Sequence, residues 1–88
     1  MYRREIEYVP MAKVGERFVA NVNAEGMHLR LFSEFTEAGV KALVWDIEGK
    51  QEILHEMADD LAEGKEKCQQ CVNGLLSKPQ QVEWLHQD

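Results

Sequence analysis

The chain has 88 residues, 44% of them hydrophobic and 30% charged, and a formal net charge of −6. That length fits one small domain over 1–88 with one modest core, and it leaves little volume for a cleft that encloses a substrate. The apolar runs, such as Ala42-Leu43-Val44-Trp45, are far shorter than the ~20 residues a membrane-spanning helix needs.

The charge is unevenly placed. Residues 1–44 balance Arg3, Arg4, Lys13, Arg17, Arg30 and Lys41 against Glu5, Glu7, Glu16, Glu25, Glu34 and Glu37, so the whole excess of acid lies in residues 45–88. Affinity for a phosphate backbone comes largely from Lys and Arg displacing counterions, so direct nucleic-acid binding is not expected and a partner with a basic surface is.

In chain order, the first segment is Met1 to Tyr8. It has early positive charge with no long apolar stretch behind it and does not read as a secretory signal. Tyr2, Ile6 and Tyr8 suggest an N-terminal strand ended by Pro10, which suits an edge or a terminus because it lacks a backbone N–H. From Arg17 onward the hydrophobicity alternates. Phe18, Ala20 and Val22, then Met27, Leu29 and Leu31, carry the period of two that marks half-buried strands. Asn23-Ala24-Glu25-Gly26 and Thr36-Glu37-Ala38-Gly39 each place glycine where a short hairpin turn needs positive φ. These signals predict an antiparallel meander with strands at 17–23, 27–35 and 40–47.

The third of these segments is apolar on both faces, with Val40, Ala42 and Val44 alternating against Leu43, Trp45 and Ile47. It also begins a series spaced by seven: Val40, Ile47, Leu54, Leu61, Cys68 and Leu75. The β-branched residues and Trp45 favour a strand for its first members, and the remainder, from Leu54, predicts an amphipathic helix. That helix is expected to begin near Asp46 or Gly49 and to run to Gly74, burying Leu54, Met57, Ala58, Leu61, Cys68, Cys71, Val72 and Leu75. Gly64 marks a position for a kink or a split. Ser77-Lys78-Pro79-Gln80 has the form of a capping box with proline in the first turn, predicting a short C-terminal helix through Val82, Trp84 and Leu85. The expected fold is therefore α+β: a three- or four-stranded antiparallel meander, a long amphipathic helix and a short C-terminal one.

The candidate chemistry is thin. Cys68-Gln69-Gln70-Cys71 could supply half of a zinc site, but His28, His55 and His86 are the only imidazoles, and no second cysteine pair exists to complete a tetrahedron. A redox role calls for a low-pKa thiol at a helix N-terminus, whereas this pair falls inside the expected helix. Two cysteines are too few for a disulfide scaffold, and they are compatible with a reducing cytoplasm. His55-Glu56-Met57-Ala58-Asp59 departs from the zinc-protease helix at Asp59, where a second histidine is required. Ser33, Thr36 and Ser77 have no neighbouring histidine, and no glycine-rich phosphate loop is present. No catalytic residue, cofactor or metal site is assigned. Among the aromatics, Phe18 is expected on the buried face, leaving mainly Phe32 beside His28 and Arg30 on the other; core and sheet-surface packing explains them better than base stacking does.

The remaining candidate is a ridge of acids on the outer helix face: Glu52, Glu56, Asp59, Asp60, Glu63 and Glu66. The function expected from sequence is a small acidic, non-catalytic interaction or regulatory protein that uses this ridge or a dimer surface. Two alternatives stand beside it: an inhibitor that mimics nucleic acid, and a thiol or zinc protein centred on Cys68 and Cys71.

Overall fold

The computed structural model describes residues 13–87. Four strands follow one another: β1 (Arg17–Ala24), β2 (Met27–Thr36), β3 (Gly39–Asp46) and β4 (Gln51–Ala58). One helix, α1 (Leu61–Leu75), and a short strand, β5 (Leu85–Gln87), complete the chain. All five strands form one antiparallel sheet in the order β4-β3-β2-β1-β5. The fold is α+β, with α1 lying across one face of the sheet.

The meander from β1 to β3 follows the expected boundaries closely. At the first turn Glu25 and Gly26 both have positive φ (52° and 79°), so the strands are joined by a two-residue hairpin of the twist that antiparallel ribbons favour. At the second, Gly39 sits at φ 122°, a conformation that is costly for a residue bearing a Cβ. Residues of one parity on these strands, Ala20 and Val22, Leu29, Leu31 and Ser33, Val40, Ala42 and Val44, are buried beneath α1. From α1 the buried contributions are Gly64, Cys68 and Val72, a stripe at i, i+4 and i+8.

Four expectations need correction. Among the described residues the sheet has five strands, not three or four, because residues 51–58 are β4 and not the first turns of a helix, and Leu85–Gln87 adds β5. The pairing of β3 with β4 shifts register between Val44 and Trp45: Val44 faces Leu54 while Trp45 faces Glu52, leaving Ile53 as an extra residue. That bulge breaks the period of two and gives Ile53, Leu54, Met57 and Ala58 a helix-like spacing. Leu54 therefore belongs to a strand, and of the seven-residue series only Leu61, Cys68 and Leu75 lie on α1, with Leu75 largely exposed.

The helix starts at Leu61, where Asp60 caps it by accepting a hydrogen bond from the Glu63 N–H at 2.8 Å. It runs unbroken through Gly64. This glycine is the point of closest approach between helix and sheet: a Cβ there would overlap Ser33 Oγ and come within 3.3 Å of Val40 Cγ1. Ser33 is fully buried, and its hydroxyl donates to the Leu61 carbonyl at 2.8 Å, so the one buried polar side chain among the described residues is satisfied by the helix it supports.

No C-terminal helix forms. The amide and hydroxyl of Ser77, which would have capped it, instead donate to the Glu25 carboxylate at 3.0 Å and 2.8 Å. Val82 and Trp84 then pack against the core from an extended segment, and Leu85–Gln87 pairs with Arg17–Val19 of β1. The expected N-terminal strand at Tyr2 to Tyr8 lies outside the described residues.

The segment after α1 is thus held at both ends by carboxylates. The hydrogen bonds from Ser77 hold the Glu25 carboxyl below its ordinary value, and a 2.6 Å contact with His86 does the same for Glu16. A carboxyl whose pKa is lower in the folded than in the unfolded state contributes stability above the ordinary glutamate range and loses it as the pH falls through its folded value. Acidification should therefore loosen residues 77–87 before the sheet melts. In an NMR titration the Trp84 indole N–H resonance should move first while that of Trp45 holds; simultaneous movement of both would contradict this order.

Candidate functional site

Among the described residues no group of three or more His, Cys, Asp and Glu side chains converges where a metal ion could be held. Cys68 is fully buried, and the one proton of its thiol is shared between the Phe32 and Leu43 carbonyls, which lie 3.3 Å and 3.5 Å from the sulfur. Burial pushes that thiol up to about 11, and it raises the Cys71 thiol as well, aided there by the Glu56 carboxylate. Both groups are protonated at neutral pH, the opposite of what a nucleophilic or redox pair needs. A shallow groove between α1 and the following segment is lined by Gln69, Asn73, Pro79, Gln80 and Gln81, none of which can exchange a proton near neutral pH. No helix among the described residues is long and apolar enough to cross a membrane.

The six acids do not share a helix face. Glu52 and Glu56 belong to β4, Asp59 and Asp60 to the turn after it, and Glu63 and Glu66 to α1. Glu52 is opposite Trp45 and Glu56 opposite Ala42, residues of opposite parity on β3, so the two glutamates point to opposite sides of the sheet. Several already have local partners. Glu56 accepts from Lys67 at 3.1 Å, and the Glu63 carboxylate accepts from the Asp59 N–H at 2.6 Å while Asp60 caps the helix. Asp60→Ala should cost about 1 kcal/mol in urea unfolding, as loss of an N-cap does. Glu66→Ala, at an exposed helix position with no cap to lose, should stay within about 0.5 kcal/mol of the parent.

A second surface comes from the other side of the sheet. In the register of the ladder, Leu85, Val19, Phe32 and Leu43 stand side by side in one row across β5, β1, β2 and β3. Trp45 lies one step along, beside Arg30. None of these five packs against the helix-side core; they line the opposite face, which α1 leaves uncovered among the described residues. Val19, Phe32, Leu43 and Trp45 are half-buried, and Leu85 is 66% exposed.

Polar rows flank this apolar one. On one side Arg17, Glu34 and Lys41 run across β1 to β3, with the Glu34 carboxylate between the two cations at 3.8 Å and 3.9 Å. Arg17 also donates to Gln87 at 2.9 Å. On the other side Arg30 donates to Asn21 at 3.1 Å. His28 stands beside Glu48 and His55 beside Glu52. Arg17, Arg30 and Lys41 are thus set against Glu34, Glu48 and Glu52, so this face is close to neutral. The strongly acidic region is elsewhere: Glu56, Asp59, Asp60, Glu63 and Glu66 face only Lys65 and Lys67 on the helix side and in the turn before it.

Alternation in β2 places Phe32, Arg30 and His28 together from sequence alone. The membership of Leu43 and Trp45 is set by the β2–β3 register, for which the tight turn at Gly39 was the available signal. Comparison of the chain with protein-family models, with curated proteins and with solved structures finds no match.

Proposed function

We propose that this chain is a small non-catalytic binding protein whose working surface is the uncovered sheet face and whose partner is another protein. The observation that carries the reading is the apolar row Leu85, Val19, Phe32 and Leu43, with Trp45 beside it, lying outside the core and bordered by polar rows. Protein interfaces have this layout, an apolar and aromatic centre within a polar rim, and a contiguous apolar patch on an otherwise charged surface marks a contact site more often than a bare surface. Raised thiols and a groove lined by amides support a non-catalytic role. The face carries no excess of cations to drive phosphate binding, which favours a protein over a nucleic acid.

A second reading keeps the acids as the contact, with a basic partner docking on Glu56, Asp59 and Glu66 at the helix side. The two are separated by using the chain as bait at low salt. Phe32→Lys with Leu43→Lys should abolish capture of a specific partner, while Glu56→Gln with Asp59→Asn and Glu66→Gln should leave it intact. Loss with the acid variants only, together with a steep fall at high salt, would overturn the sheet-face reading in favour of the acidic one.

A further inference from the structure

We infer that the occupant of the uncovered face is a second copy of this chain, packed face to face about a two-fold axis that runs parallel to, and between, β2 and β3. The inference rests on the sheet-face reading above and names its partner.

The argument starts from three pairs in the β2–β3 register: Glu34 opposite Lys41, Phe32 opposite Leu43, and Arg30 opposite Trp45. Each pair is chemically complementary: an acid with a base, an aromatic with an aliphatic, a guanidinium with an indole. A two-fold axis between these strands exchanges the two members of every pair. Glu34 then meets the partner's Lys41, Phe32 the partner's Leu43, and Arg30 the partner's Trp45, and each contact occurs twice, as an isologous interface requires. The Glu34–Lys41 pairs of the two copies join into one cluster, bordered on either side by the Arg17 that shares each Glu34. Aligned sheets pack about 10 Å apart and rotated by about 30°, so the match holds best at the centre, where these three pairs lie.

Electrostatics favours this orientation over others. Bringing two helix sides together would oppose Glu56, Asp59, Glu63 and Glu66 to their own copies, whereas apposing the sheet faces sends those acids to opposite poles. The sheet edges are less suited to pairing: β5 has three residues, and β4 carries Glu52, His55 and Glu56 along its length. An axis between β2 and β3 lays β4 to β1 of one copy on the same four strands of the other and leaves β5 beyond the overlap, so four strands at about 4.8 Å and three rows of side chains give roughly 400 Å² per copy. About 800 Å² in total is less than the roughly 1,000 Å² of a stable specific interface, so the dimer is a weak one that forms only as concentration rises.

Sedimentation equilibrium of the full chain from about 1 µM to about 500 µM tests this. The wild type should pass from monomer to dimer. Phe32→Lys should raise Kd by about tenfold or more, as should Lys41→Glu, with far-UV spectra and urea midpoints confirming that both variants are folded. The double reversal Glu34→Lys with Lys41→Glu restores opposite charges across the axis and should recover most of the affinity. A wild type that stays monomeric overturns the second copy as occupant; the sheet-face reading then stands or falls on the capture of a different partner by the same face variants. A dimer indifferent to Phe32→Lys lies on another surface and overturns the inference, and failure of the double reversal to restore Lys41→Glu overturns the proposed axis.

Discussion

Gly64→Ala is expected to destabilise the protein by about 2 kcal/mol or more, although the same change at most helix positions is favourable. Alanine is a better helix former than glycine by about 1 kcal/mol, and at Gly64 that gain is outweighed. The added methyl would overlap Ser33 Oγ and press on Val40 Cγ1, and Ser33 is fully buried with its hydroxyl committed to the Leu61 carbonyl. Accommodating it means moving the helix off the sheet or turning the hydroxyl away from its acceptor. Overpacking costs about 1–3 kcal/mol, and a lost buried hydrogen bond adds about 1–3 kcal/mol. Gly74, on the same helix, has nothing within 4 Å of an added Cβ, so Gly74→Ala should stabilise by about 0.5–1 kcal/mol. Opposite shifts of the urea midpoint for one substitution on one helix would isolate the contact from propensity. Ser33→Ala in the Gly64→Ala background should recover part of the loss. It cannot recover all of it, because the two Cβ atoms would still be 3.0 Å apart. If Gly64→Ala proved neutral, the close approach of α1 to β2 would be wrong.

What the sequence made legible follows from which interactions are local. The meander from Arg17 to Asp46 shows in the alternation and in two glycines at positive φ, both properties of neighbouring residues. The fourth strand was hidden by one residue. With Ile53 bulged out, Gln51-Glu52-Ile53-Leu54-His55-Glu56-Met57-Ala58 loses its period of two, and its composition is rich in good helix formers, so both local signals point away from the strand that pairing with β3 imposes. The last strand was hidden by distance. Leu85-His86-Gln87 is too short to show a period, and its partner, β1, lies about seventy residues earlier in the chain. The polar groups that signalled a cap at Ser77 are used elsewhere: its hydroxyl, which would accept in a cap, instead donates to Glu25 of the first hairpin together with its amide. Gly64 reads as a helix breaker until the residue facing it is known.

The surfaces were legible to differing degrees for the same reason. Charge patterning found the acids but placed them on one ridge through a helix that begins too early; Asp60 and Glu63 serve as its true N-terminal cap, and Glu52 is on the far side of the sheet from Glu56. Cys68 and Val72 do lie on the buried stripe of α1, with Gly64 completing it in place of Leu61 and Leu75. The uncovered face, by contrast, exists only as a relation between strands. Val19, Phe32 and Leu43 are far apart in sequence, and each looks like an ordinary strand residue until the register lines them up.

Adjacent residues on β2 give that division its sharpest test. Leu31→Ala should cost about 3 kcal/mol, whereas Phe32→Lys should change stability by less than about 1 kcal/mol under dilute, monomeric conditions. Leu31 has no exposed surface and lies in the cluster that includes Val44, Cys68 and Val72, so truncation leaves a cavity that close-packed neighbours refill poorly. Phe32 is outside that cluster, on the side where its neighbours Val19 and Leu43 are themselves only half-buried. A lysine there can lay its methylenes along the same row and extend its ammonium into water. At concentrations where copies associate, the order of effects should change, with Phe32→Lys now losing the stabilisation that dimer formation adds by mass action. Urea midpoints measured at two protein concentrations would show it as a midpoint that rises with concentration for the wild type and stays fixed for Phe32→Lys. A loss at Phe32 as large as that at Leu31 in the dilute sample would place the aromatic ring in the fold itself and remove the basis for treating this face as a surface that waits for a partner.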